Sequence, residues 1–220
     1  GAVLVFDEMK TGFRLARGGY QEICGVTPDV AAFGKAMANG FPLAGLVGKR
    51  DVMESAQKTW ISSTLAGESM SIAAALAVLD IYEEEDREED ICATLARVGR
   101  AMKESVESAV NASGIEGVTV AGIDQMWFMR FDDPEVERAF LEESVREGVL
   151  FKRGAYNYAS LAHDDKETLV DIERAASSAL VVIVVTSVVL LGSCFLITAG
   201  AFLFFGVSGV ASTVARAAPE

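Results

Sequence analysis

Phe33-Gly34-Lys35-Ala36-Met37-Ala38-Asn39-Gly40-Phe41-Pro42 is the stretch on which the reading of this chain turns. A single lysine stands among small residues, directly after the extended apolar run Val30-Ala31-Ala32-Phe33, and Gly40 and Pro42 close the segment as a turn. An ammonium at the end of a buried strand is costly to desolvate, so it needs a partner or a covalent use. Desolvation also favours the neutral amine, the form that does Schiff-base chemistry. An isolated Gly-Lys reads most simply as a surface lysine after a strand, because lysine is mostly exposed. The residues upstream change that reading.

Val3-Leu4-Val5-Phe6 is a continuous apolar run of the kind that suits a buried parallel strand. It ends in Asp7-Glu8 and is followed by the glycine-bearing turn Met9-Lys10-Thr11-Gly12-Phe13-Arg14. In open α/β sheets, ligands sit outside the carboxyl ends of the strands, and Asp7 and Lys35 are both expected at such ends. A carboxylate for a pyridinium nitrogen and a lysine for a Schiff base are what pyridoxal phosphate requires. Asp7 has a second reading, as an acid capping the turn before Thr11-Gly12. Residues 15–29 read as a loop, a short helix and a turn that brings the chain back parallel to the first strand.

Asp7-Glu8-Met9-Lys10-Thr11-Gly12-Phe13-Arg14, then Gly25-Val26-Thr27-Pro28-Asp29, then Gly34-Lys35, resemble in order and spacing the class III pyridoxal-phosphate aminotransferases, most of all the glutamate-1-semialdehyde 2,1-aminomutase branch. The resemblance covers roughly residues 1–175. It implies an α/β fold: part of a fold-type I major domain over 1–112 and a smaller α+β domain over 113–179. It implies Lys35 as the Schiff-base lysine, Asp7 as the partner of the ring nitrogen and Glu8 as support. Lys10 departs from the Gln or Met of many relatives. The Ser62-Ser63-Thr64 cluster resembles the segment that contacts the cofactor phosphate across a homodimer interface, with Thr64 matching and Ser63 beside it. Read without the family, the cluster is a Ser/Thr helix cap. Glu68 replaces the Asn-Pro often seen just beyond. The implied activity is amino transfer, or 2,1-migration, on an amino-aldehyde, amino acid or amino-sugar type of substrate.

The formal net charge is −13, and all of it lies in residues 1–174, because Arg216 and Glu220 cancel. An acidic chain argues against nucleic-acid binding. Cys24, Cys92 and Cys194 have no metal-ligand spacing and read as reduced thiols of a cytoplasmic protein. The chain does not open on Met and carries no leader-like segment, and so reads as a fragment. Ile91, Leu95, Val98, Met102 and Val106 recur at helical spacing over 91–112 and mark a core-facing helix. Val118–Gly122, Met126–Phe131 and Val149–Phe151 read as strands, and Pro134–Glu147 as a helix. Arg130 reads as a strand-end ion pair or, less simply, a carboxylate ligand. Arg153, Tyr156 and Asn157 match the family segment over the active-site mouth, and His163, the only histidine, reads as structural.

After a closing helix over 164–179, residues 180–207 are nearly all apolar, long enough to cross a bilayer as a helix; residues 208–220 form a tail. This segment has three readings: a membrane anchor, a joined neighbouring frame, or an out-of-frame continuation. A membrane-tethered remnant without catalysis is therefore the alternative to the enzyme.

Overall fold

The computed structural model describes residues 1–59, 64, 66–84 and 89–199, with side chains described as far as Thr186. The first apolar run forms β1 (Val5–Asp7). A left-handed Gly25 ends the short helix α1 (Tyr20–Cys24), and the chain returns as β2 (Val30–Gly34), parallel to β1. The register pairs Val5 with Val30 and Asp7 with Ala32, as a parallel crossover predicts. Next, β3 (Ala44–Gly48) pairs antiparallel on the other side of β2, so the order of this sheet is β1-β2-β3. Helix α2 (Arg50–Met53) follows. Asp51 lies inside its first turn and does not cap it; the cap position is Lys49, whose side chain makes no capping bond.

Only the central strand of this sheet is well covered. Val30 and Ala31 are buried, whereas Val5 is 58% exposed and Leu46 59%. The expectation of a buried β1 fails in this chain because nothing among the described residues packs on its outer face.

Helix α3 (Ser69–Glu83) is rich in small residues. Its N-terminus is closed by Glu68, whose carboxylate accepts the N–H groups of Met70 (2.8 Å) and Ser71 (2.7 Å). The cap is therefore Glu68 and not a hydroxyl, and two of the N-terminal N–H groups of the helix are taken by it.

The main core is built on α4 (Ile91–Ser113). Its five periodic apolar residues are all buried, and Asp90 caps it by accepting from the Ala93 N–H at 3.0 Å. The second sheet holds β4 (Val118–Ile123), β5 (Met126–Phe131) and β6 (Asn157–Tyr158), in that order and antiparallel throughout. Helix α5 (Pro134–Arg146) starts with a proline behind the capping Asp133. The expected strand at Val149–Phe151 does not form. Phe151 packs into the core instead, against Trp127 and Phe140, and β6 takes the edge of β5.

Helix α6 (Lys166–Ala199) runs on without a break at 179. Leu180 and Ile183 are buried in the same core as α4, as are Ala176 and Ala179. The packing thus joins residues 91–112 to the second sheet and continues past 179. Among the described residues no helix is long and apolar enough to cross a membrane. Most of the expected span 180–207, and Cys194 within it, lies outside the described side chains.

Gly99 shows why α4 sits so close to the β4–β5 hairpin. A Cβ there would overlap the Asp124 carbonyl, and the approach is flanked by the Arg100–Asp124 ion pair at 3.0 Å.

Candidate active site

Two chain segments converge where β1 and β2 end. Lys35 is the first residue after β2, in a 3-10 turn over Lys35–Met37, and its backbone is left-handed with φ 48°. That conformation is uncommon for a residue with a side chain and clusters at functional sites. Asp7 is the last residue of β1 on the neighbouring parallel strand. Its Oδ1 accepts the Met9 N–H at 3.0 Å, so Asp7 does cap the turn, and Oδ2 stays unengaged among the described residues.

Lys35 lines a cavity of about 630 Å³ together with Met9, Lys10, Arg14, Phe41 and Tyr158. Three of its lining residues are cationic and none is acidic, in a chain of net charge −13. Asp7 is not among the lining residues of this cavity.

The turn after β1 is held by Glu8, which is 1% exposed. Its carboxylate accepts the Thr11 hydroxyl and the N–H groups of Tyr20 (2.9 Å) and Gln21 (3.1 Å). Gly19 makes this clamp possible. Its φ is +86°, and a Cβ there would run into the Glu8 carboxylate. Glu8 thus closes a network around residues 8–21, with three donors on one carboxylate.

The far wall of the cavity comes from the second unit. Arg14 donates from Nη1 to the Ala159 carbonyl at 2.7 Å, and its guanidinium lies 4.8 Å from the centre of the Tyr158 ring. Burial pulls the Arg14 pKa below its ordinary value. Lys10 Nζ lies 5.4 Å from the centre of the Tyr156 ring. On the other side of the turn, Tyr82 donates its hydroxyl to the Phe13 carbonyl, and the Phe13 ring meets Phe33 edge-on.

The remaining expected site residues separate. Ser63 lies outside the described residues. Thr64 is exposed in the chain before α3 and does not line the Lys35 cavity. Arg130 pairs with Asp132 at 3.4 Å in solvent, and Arg153 pairs with the half-buried Glu137 at 3.3 Å. Asn157 lines a different cavity. His163 is structural, as expected: its Nδ1 accepts the Ser160 N–H at 3.2 Å. Arg14 and Tyr158 are the site residues that sequence reasoning missed. Arg14 stands inside the quoted motif, but its partner is 145 residues away and carries no local signal.

The family model for class-III aminotransferases matches residues 1–162. The chain belongs to that family. It is 34% identical over 183 residues to the 3-aminobutyryl-CoA aminotransferase of Cloacimonas acidaminovorans (strain Evry), covering 80% of this chain and 43% of that protein. It is 31% identical over 195 residues to the glutamate-1-semialdehyde 2,1-aminomutase of Syntrophobacter fumaroxidans, covering 81% and 44%. The chain therefore spans less than half the length of these curated relatives. Among solved structures, the fold is similar to the pyridoxal-phosphate internal aldimine form of the Sphingopyxis sp. MTA144 FumI protein, with a TM-score of 0.74 and 26% identity over 83% of this chain and 44% of that one.

Proposed function

We propose that this class-III chain carries the lysine-bearing part of a pyridoxal-phosphate-dependent aminotransferase or 2,1-aminomutase. The observation that supports it best is the pairing at the strand ends. Asp7 and Lys35 sit at the carboxyl ends of adjacent parallel strands, and Lys35 opens on a cavity with three cations and no acid. An anionic cofactor and an acidic or amino acid-like substrate suit such a lining. The residues present fit the group: an amine to hold it, a carboxylate at the neighbouring strand end with one oxygen unengaged among the described residues, and no acid in the cavity lining.

In this reading Lys35 and Asp7 hold the cofactor, and Ser63 and Thr64 serve its phosphate from a second copy in a homodimer. When bound, pyridoxal phosphate supplies an electron sink for the amino-bearing carbon of the substrate. Lys35 Nζ moves the proton at that carbon. Asp7, as an anion, favours a protonated ring nitrogen. Arg14 and Tyr158 close the cavity toward the second unit and limit water there. The substrate is an amino-aldehyde, amino acid or amino-sugar type of molecule, and the reaction is amino transfer or internal migration.

The test is a titration of pyridoxal phosphate into the chain and into two variants, read by absorbance of the lysine adduct. Lys35→Ala is expected to lose the adduct band, and Lys10→Ala to keep it. A band that survives Lys35→Ala contradicts the assignment.

A further inference from the structure

Arg14 lines the Lys35 cavity and also a smaller cavity of about 350 Å³. The two cavities meet at Arg14, Ala36 and Asn39, which line both. The body of the smaller one is apolar, from Val78, Ile81, Leu95 and Leu161. Neither lining holds an Asp or a Glu.

The guanidinium of Arg14 is held in place from the second unit. Its Nη1 donates to the Ala159 carbonyl at 2.7 Å, and the group lies 4.8 Å from the centre of the Tyr158 ring. Tyr158 is itself fixed in β6, in register with Met126 of β5. A guanidinium fork carries several N–H donors, and the Ala159 carbonyl is the one acceptor they meet among the described residues. The charge is unmatched as well. Every other described arginine except the exposed Arg50 is ion-paired with an acid. Lys10 and Lys35, the other cations of the lining, are exposed and keep their water, whereas Arg14 is half-buried. A charge withdrawn from water is costly unless an opposite charge meets it. Burial pulls the Arg14 pKa down, and no carboxylate acts against this. Asn39 and the Tyr158 hydroxyl are the remaining polar side chains of the Lys35 cavity, and each can donate as well as accept.

A planar fork held in one orientation, partly dry and without an acid, is suited to a carboxylate, which it meets through parallel hydrogen bonds. We infer that Arg14 sets the specificity of the Lys35 site by receiving a carboxylate of the substrate. The inference rests on the reading of that site as the pyridoxal-phosphate one. It narrows the substrate to amino compounds that carry a carboxylate and sets aside amino-sugars without one. Arg14 binds and orients, and the proton work stays with Lys35.

The probe is butyrate, with 1-butanol as the neutral control of equal chain length. The readout is the Nε–H resonance of Arg14 in the full chain, identified by its loss in Arg14→Lys, which keeps the charge. Butyrate is expected to move that resonance in a saturable way, and 1-butanol to leave it in place. The dissociation constant of butyrate, read from its own line broadening, is expected to rise at least about tenfold in Arg14→Gln, as for a lost hydrogen bond to a charged group. It should change far less in Lys10→Ala, whose charge is exposed. The titration is then repeated on the chain loaded with pyridoxal phosphate, with loading read separately by absorbance, and the butyrate response is expected to persist. Its disappearance on loading means that the cofactor's phosphate takes Arg14, and overturns the inference. So does a resonance indifferent to butyrate, an equal response to 1-butanol, or a dissociation constant that rises with Lys10→Ala and not with Arg14→Gln. A chain that forms no lysine adduct fails the reading of the Lys35 site, and the inference with it, whatever butyrate does.

Discussion

The two sheets of this chain are finished to different degrees. The second sheet, with α4, α5 and α6, closes a core in which Val106, Trp127 and Phe140 are each 0% exposed. The first sheet carries the candidate catalytic lysine, yet leaves Val3, Leu4, Val5, Leu46 and Val47 between 43% and 59% exposed. Burial of apolar area is what stabilises a unit. The second unit therefore holds most of the buried apolar core, while the first leaves its apolar strands exposed among the described residues. The chain spans less than half the length of these relatives, and among the described residues the outer strands of its first sheet stay exposed. The site rests on long-range ties to the finished unit, Arg14 to Ala159 and the ring contacts of Lys10 and Arg14.

The contrast can be broken by paired substitutions. Phe140→Ala, in the closed core, is expected to lower stability by about 3–5 kcal/mol. Leu46→Ala, on the open sheet, is expected to change it by less than about 0.5 kcal/mol. Both are read by denaturant unfolding. A cost above about 1 kcal/mol at Leu46 would show that the first sheet is covered in solution, for example by a second copy.

A smaller effect sharpens the account of the loop that carries the site. Glu8→Ala leaves two backbone N–H groups and a hydroxyl without their acceptor, at a cost of about 1–3 kcal/mol. Hydrogen exchange should quicken at Tyr20 and Gln21 and stay unchanged in α4. Uniform loss of protection over both units would mean that the two are one cooperative body and that the contrast is overdrawn.

The smallest effect is a dependence on pH. Burial lowers the His163 pKa below its ordinary value, and its Nδ1 must be unprotonated to accept from Ser160. The unfolded chain then binds the proton more readily, so the contribution is full above about pH 6.5 and is lost as pH falls through the lower folded value. Taking the protein from about pH 8 to about pH 5 should cost it more stability than it costs His163→Ala. An equal drop in both would remove His163 from the explanation.

How much of this was legible in the sequence follows from the range of each interaction. Helix α4 was readable because Ile91, Leu95, Val98, Met102 and Val106 repeat at the helical period, and all five are buried. The parallel pairing of β1 and β2 followed from two apolar runs and a turn-bearing crossover, and with it the placing of Asp7 and Lys35 at neighbouring strand ends. Val149–Phe151 misled because three apolar residues in a row look like a strand, whereas the edge of β5 is taken by Asn157–Tyr158 through a choice of partner that no local pattern encodes. The break read at 179 came from a change of composition. Helix α6 crosses it because Leu180 and Ile183 continue the face that packs on α4. At the hydroxyl cluster, the cap proved to be Glu68, an acid outside the Ser, Thr, Asp and Asn set that a cap search favours.

The most direct measurement is borohydride reduction of the chain loaded with pyridoxal phosphate, followed by peptide mapping. Lys10 is an internal control, since it lines the same cavity as Lys35. The account predicts a single cofactor adduct on the peptide bearing Lys35. An adduct on Lys10, or one spread over surface lysines, would contradict it.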